Sequence, residues 1–113
     1  MDEVFYMPSL QTPPNLPYPF VYFITVRNHS DRPITLRGRK WIVSEENGET
    51  QVVEGTGITG LTPKLEPGEH FSYNSYHTVA TNAEVTGSYL VEDDLGGLYF
   101  TPIPRFRLSV PEW

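Results

Sequence analysis

Along most of the chain apolar and polar residues alternate with a period of two, and apolar positions do not recur at helical spacing over three turns anywhere. Phe20, Tyr22, Ile24 and Val26 fall on one side of such an alternation, with Thr25, Arg27 and His29 on the other. The residue types are aromatic and β-branched, which suit a pleated surface, so a strand is predicted here. Asn28 to Pro33 reads as a turn, because short polar side chains bond nearby backbone and Pro33 cannot extend a central ladder. The next strand runs from Ile34 to Ser44, with Gly38 as a bulge where the facing pattern of Ile34 and Leu36 gives way to that of Trp41 and Val43. Asn47-Gly48 then signals a hairpin into Glu49–Glu54.

Further strands are predicted over His70–Val79, Glu84–Glu92 and Leu98–Val110, divided by turns at Pro67-Gly68 and Asp93–Gly97. In the last of them Phe106, Leu108 and Val110 alternate with Arg105, Arg107 and Ser109. The expected fold is all-β: an immunoglobulin- or fibronectin type III-like sandwich of about seven antiparallel strands in two sheets. Residues 1–19 are read as an edge strand at Glu3–Met7 followed by a proline-rich linker, and residues 20–113 as the sandwich domain. Eleven prolines and nine glycines leave helices no room.

With 113 residues there is one core. Fourteen acidic against eight basic residues give a net charge of −6, which repels phosphate backbones and anionic membranes, so neither nucleic acid nor a membrane is an expected partner. The absence of cysteine excludes disulfides, thiolate zinc sites and thiol nucleophiles. The acidic N-terminus lacks a signal-peptide pattern and no window is apolar enough to span a membrane, so a cytoplasmic location is expected.

Gly55, Gly57 and Gly60 spell G-x-G-x-x-G, the spacing of a dinucleotide fingerprint. That fingerprint requires a helix after the loop, and Pro63 and Pro67 deny one. Two readings stay open. The loop amides could form an anion nest for phosphate, pyrophosphate or a nucleotide, assisted by Arg39 and Lys40. Alternatively, the glycines supply positive φ angles in a loop crossing between the sheets. Arg37 to Lys40 is likewise either a spot for a phosphate or an acidic partner, or a solvated basic run on an exposed strand.

His29, His70 and His77 lack metal-ligand spacing and are read as partly exposed, and Glu92 to Asp94 as a solvated hairpin tip, so no metal or other cofactor is expected. Without a nucleophile beside a base, the chain is read as non-enzymatic. Trp41, Tyr22, Tyr73 and Tyr89 are assigned to the core. Tyr76 and Trp113 are the candidates for an exposed aromatic patch that meets a partner.

Four motifs in order go further: Val53 to Gly60, Pro63 to Ser75 as P-x-L-x-P-G-x-x-F-x-Y-x-S, Gly87 to Tyr89 as G-x-Y, and Ile103 to Leu108 as I-P-x-F-x-L. They resemble the ApaG domain family over Phe20 to Pro111, with Ile58 and Thr59 replacing the family's two loop valines and Ala83 and Val85 replacing a Gly and a Met. The resemblance implies a fibronectin type III-like sandwich found alone in bacteria and attached to partner-binding proteins in eukaryotes. It also implies a genetic link to cobalt resistance and magnesium efflux. A non-catalytic protein-interaction module, its partner a different protein or a second copy of the chain, is therefore the leading expectation. A phosphate-containing ligand at the glycine loop and a role in divalent-cation homeostasis are the alternatives.

Overall fold

The computed structural model describes residues 1–111, and Trp113, one of the two residues picked out for an exposed patch, lies outside them. Eight strands follow in order: β1 Glu3–Tyr6, β2 Tyr18–Arg27, β3 Ile34–Glu45, β4 Thr50–Thr56, β5 Lys64–Leu65, β6 His70–Val79, β7 Ala83–Asp93 and β8 Leu98–Leu108. All pair antiparallel, in a three-stranded sheet ordered β1-β2-β6 and a five-stranded sheet ordered β4-β3-β7-β8, with β5 added to β3. The all-β sandwich expected from the alternation is the observed architecture, with seven strands after β1.

The inner faces supply a single core. Phe20, Tyr22 and Ile24 of β2 meet Trp41 and Val43 of β3, Val85, Tyr89 and Val91 of β7, and Ile103 and Leu108 of β8. Tyr22 packs edge-on against Trp41 at 5.2 Å between ring centroids, and Phe106 closes on both rings at 5.7 and 5.9 Å. Each such contact adds roughly 0.5–1.5 kcal/mol beyond burial. Between the sheets the Tyr73 and Tyr89 hydroxyls share a 2.6 Å hydrogen bond, and burial raises both phenol pKa values, that of Tyr89 to about 12. Both rings stay neutral at any ordinary pH.

The expected bulge is present: the β3–β7 register shifts between Leu36 and Gly38. A second shift, between Val85 and Gly87, lies in the β7–β8 pairing. Two buried polar side chains fix the sandwich ends. The Asn28 carboxamide donates to the carbonyls of Arg32 and Leu65 at 2.8 and 2.9 Å and accepts from the amide and hydroxyl of Ser30. At the other end the Glu45 carboxylate accepts the amides of Ala80 and Thr81 at 2.7 and 2.9 Å, tying β3 to the β6–β7 turn. Every one of these buried oxygens and nitrogens is satisfied, as a buried polar group requires.

Two sequence expectations need correction. The glycine loop does not cross between sheets, because β4 and β5 pair with the same edge of β3, at Gly38–Ser44 and at Ile34–Thr35. Nor is β3 an exposed strand that sheds partners through Arg37 to Lys40, since β4 and β7 flank it.

Candidate functional site

The glycine loop is a turn that returns the chain to β3. Ile58 and Leu61 exchange amide and carbonyl at 2.7 and 3.0 Å, and the two residues between them, Thr59 and Gly60, have φ of 50° and 84°. Positive φ at both central positions is what a primed hairpin turn demands. Ile58 is fully buried, so the turn drives a plug into the core. Thr59 is β-branched in a conformation that disfavours branching; Thr59→Asn should therefore stabilise the fold by roughly 0.5–1 kcal/mol, read by urea denaturation.

The three glycines have separate reasons to be glycine. A Cβ at Gly57, where φ is 72°, would lie 2.5 Å from the Leu61 carbonyl oxygen. Gly60 needs only its positive φ, since a Cβ there would meet no described atom within 4 Å. Gly55 sits in β4 beneath the Arg39 guanidinium, which a Cβ would approach to 2.6 Å.

Arg39 donates to the carbonyls of Thr56 and Gly57 at 3.3 and 3.2 Å. Arg39 shares the inner face with its cross-strand partner Tyr89, whereas Lys40 points out beside Glu54 and Ser88. The amide of Gly57 is bonded to the Arg37 carbonyl at 2.7 Å and that of Ile58 to Leu61. Thus Gly55, Gly57 and Arg39 come together around carbonyls, with the amides of Gly57 and Ile58 occupied, Gly60 sits in the turn beyond them, and Lys40 stands on the opposite face.

The histidines divide. His29 and His70 are exposed, but His77 is 8% exposed, against the expectation for all three. Its ring stacks on Tyr22 at 5.0 Å and meets Trp41 edge-on at 5.4 Å. Burial pushes its pKa down to about 4, and Nε2 has no hydrogen-bond partner among the described residues. The signal was available: His77 has the parity of Phe71, Tyr73 and Val79 along β6.

The acidic turn is a self-capped hairpin. Asp93 accepts the amides of Leu95 and Gly97 at 2.9 and 2.8 Å and the Tyr99 hydroxyl at 2.9 Å. These donors, Gly97 first, hold its carboxyl below the usual range. Glu92 pairs with Arg37 at 2.6 Å and Asp94 with Arg32 at 3.5 Å. No cluster of three acidic or histidine side chains that could hold a metal is present among the described residues.

This hairpin carries the features that sequence reasoning missed. Leu95 in the turn and Leu98, Tyr99 and Phe100 on the edge strand are 73, 61, 55 and 77% exposed. Register separates their roles. Phe100 pairs with Leu90 and lies in the cross-strand row Phe100, Leu90, Gly38, Thr56 on the outer face. There, the missing side chain of Gly38 leaves a depression of about 420 Å³ bounded by Lys40, Glu54, Leu90 and Phe100. Tyr99 pairs with buried Val91 and overhangs the inner side. Near it lies a cleft of about 330 Å³ lined by Val26, Ile34, Leu36, Tyr89 and Val91 and by the polar segment from Arg27 to Arg32.

Tyr76 is 58% exposed, as its alternation opposite Phe71 and Tyr73 predicts, and shares the outer face of the three-stranded sheet with Phe5, Val21 and Phe23. Phe5 and Phe23 pack on one another at 5.7 Å and are 37 and 36% exposed, so that patch is partly satisfied by its own rings.

The family model of the ApaG domain matches residues 8–93. Protein ApaG of Brucella anthropi is 36% identical over 111 residues, covering 97% of this chain and 85% of that protein. Protein ApaG of Escherichia coli is 36% identical over 107 residues, 94% of this chain and 86% of the relative. A crystal structure from Bordetella pertussis superimposes with a TM-score of 0.86 at 28% identity, covering 98% of this chain and 91% of that one.

Proposed function

We propose, from the premise that the chain belongs to the ApaG domain family, that it is a non-catalytic protein-binding domain whose contact surface is the β7–β8 hairpin. The observation that carries this reading is the exposure of Leu95, Leu98, Tyr99 and Phe100 beside an open apolar cleft. Large apolar side chains gathered on one edge lose free energy in water that a partner restores, at roughly 25 cal/mol per Å² buried. Edge strands left bare also invite pairing, and this one carries Pro102 and Pro104, which withhold amides from any neighbour over its second half. The first half, Leu98 to Thr101, keeps its amides and is where the apolar run lies.

The non-catalytic part of this reading is supported by the state of the buried titratable groups among the described residues. The buried His77 faces aromatic rings, and the Tyr73–Tyr89 pair is closed on itself. Affinity capture from cells expressing the tagged protein tests the reading. The double variant Leu98→Ser, Phe100→Ser should lose the captured partner while Tyr76→Ser retains it. Capture of nothing but further copies of the chain, or equal loss in both variants, would contradict a heterologous contact at the hairpin.

A further inference from the structure

The hairpin fixes which way the backbone groups of β8 point. At its base the Asp93 amide donates to the Gly97 carbonyl at 2.9 Å, and in an antiparallel ladder hydrogen-bonded and non-hydrogen-bonded pairs alternate. Along the β7–β8 register, Tyr99, Thr101 and Ile103 therefore turn their amides and carbonyls toward β7. Leu98, Phe100 and Pro102 turn theirs outward. Pro102 confirms this parity, because a proline fits a strand only where no ladder donor is needed. Among the described strands β8 pairs with β7 alone, so the outward groups of Leu98 and Phe100 have no strand partner.

This short row is complementary to itself. With a second copy laid antiparallel along it, the two Tyr99 residues opposite one another, Leu98 of each copy faces Phe100 of the other. All outward amides and carbonyls of both residues are then exchanged, with no proline in the ladder. Centring the pair one residue further on, at Phe100, sets Leu98 against Pro102, which has no amide to give. The exposed side chains favour the same register. Leu98 and Phe100 would cover one another across the joint on the outer face, and Tyr99 would meet its symmetry mate on the inner side.

Charge points to the same occupant. The hairpin tip carries Glu92, Asp93 and Asp94, and the far end of β8 carries Arg105 and Arg107. Antiparallel pairing runs Arg105 of the second copy beside the acidic turn, which offsets part of the repulsion between two chains of net charge −6. Arg105 and Asp94 are held in their own chain only by exposed contacts, to Glu84 at 3.6 Å and to Arg32 at 3.5 Å.

We infer that two copies of the chain join their five-stranded sheets by antiparallel pairing of β8 over Leu98 to Phe100, about a two-fold axis at Tyr99. The contact is isologous and closes on itself as a dimer. Built from one short strand of each copy, it falls among the small, transient interfaces. It takes the edge that the reading above gives to a different protein but does not depend on that reading. Where both hold, the second copy and the partner compete, since one strand at a time can pair there.

The chain has no cysteine, so a single introduced thiol reports one position. Under mild oxidation of the full chain, Tyr99→Cys should be trapped as a covalent dimer, because directly opposed residues of a non-hydrogen-bonded pair come within disulfide reach. Phe100→Cys should not, since its counterpart lies two residues along the second strand. In sedimentation equilibrium the wild-type dimer fraction should rise with concentration. Phe100→Pro removes an outward amide while leaving the β7 ladder intact, and should weaken dimerisation by about tenfold or more. Tyr76→Ser, on the other sheet, should leave it unchanged. A wild type that stays monomeric at every concentration, a Phe100→Pro chain that dimerises as well as wild type, or trapping at position 100 in preference to 99 would overturn the assignment. The thiol result stands whether or not Phe100→Pro folds. If the wild type is monomeric while the hairpin double variant still loses its captured partner, the protein-binding reading stands and the self-pairing falls.

Discussion

Replacing Gly57 by alanine should destabilise the domain by about 3 kcal/mol or more, while the same change at Gly60 costs about 1 kcal/mol. Both residues have positive φ, 72° and 84°, so both substitutions carry the strain of a left-handed alanine. Only at Gly57 does the new Cβ strike backbone, 2.5 Å from the Leu61 carbonyl oxygen. That oxygen accepts the amide of Ile58 and cannot retreat without opening the turn and withdrawing Ile58 from the core. Urea denaturation in a buffer free of phosphate checks the contrast. If the glycines served only to cradle an anion, neither change would move the midpoint when no anion is present.

The second large effect is a dependence on pH. His77 titrates near 6.5 in an unfolded chain and is held to about 4 in the folded one by burial against Tyr22 and Trp41. Below pH 6.5 the unfolded state takes up a proton that the folded state refuses. Stability is therefore complete above 6.5 and falls by about 3 kcal/mol as the pH is lowered to 4. His77→Leu keeps an apolar side chain of similar size and should flatten this part of the curve. The loss attributable to Asp93, whose carboxyl is held below its ordinary value of 3.8 by its turn donors, begins only below that pH. The two windows are separate. A wild-type midpoint in urea unchanged between pH 7 and 4.5 would show that His77 accepts a proton in the folded protein.

What the sequence revealed followed from local chemistry. The period-two runs located β2, β3, β6, β7 and β8, and the interrupted pattern at Gly38 located a bulge, because both depend on neighbouring residues alone. Placement of the glycine loop depended on which edge β5 joins, a choice made by a two-residue pairing at Ile34 and Thr35 that leaves no periodic trace. Without it, Arg39 and Lys40 look like neighbours in a site, although consecutive strand residues face opposite ways and one of them lies over Gly55.

The hairpin surface was hidden for a related reason. Leu98, Tyr99 and Phe100 are consecutive apolar residues, so periodicity assigns them no face, and strands of that composition are commonly buried on both sides. Only the sheet order shows that β8 is an edge, and its first half, Leu98 to Pro102, is exposed at every position.

The central claim, that a partner is held at the β7–β8 hairpin, is tested most directly by a photo-crosslinking residue placed at position 100 in one protein and at position 23 in another, each irradiated in cells. Phe100 and Phe23 lie on the outer faces of different sheets. A discrete heterologous adduct from position 100 and none from position 23 is the predicted result. An adduct from position 23 alone would contradict the account and move the binding surface to the Phe5, Phe23 and Tyr76 face.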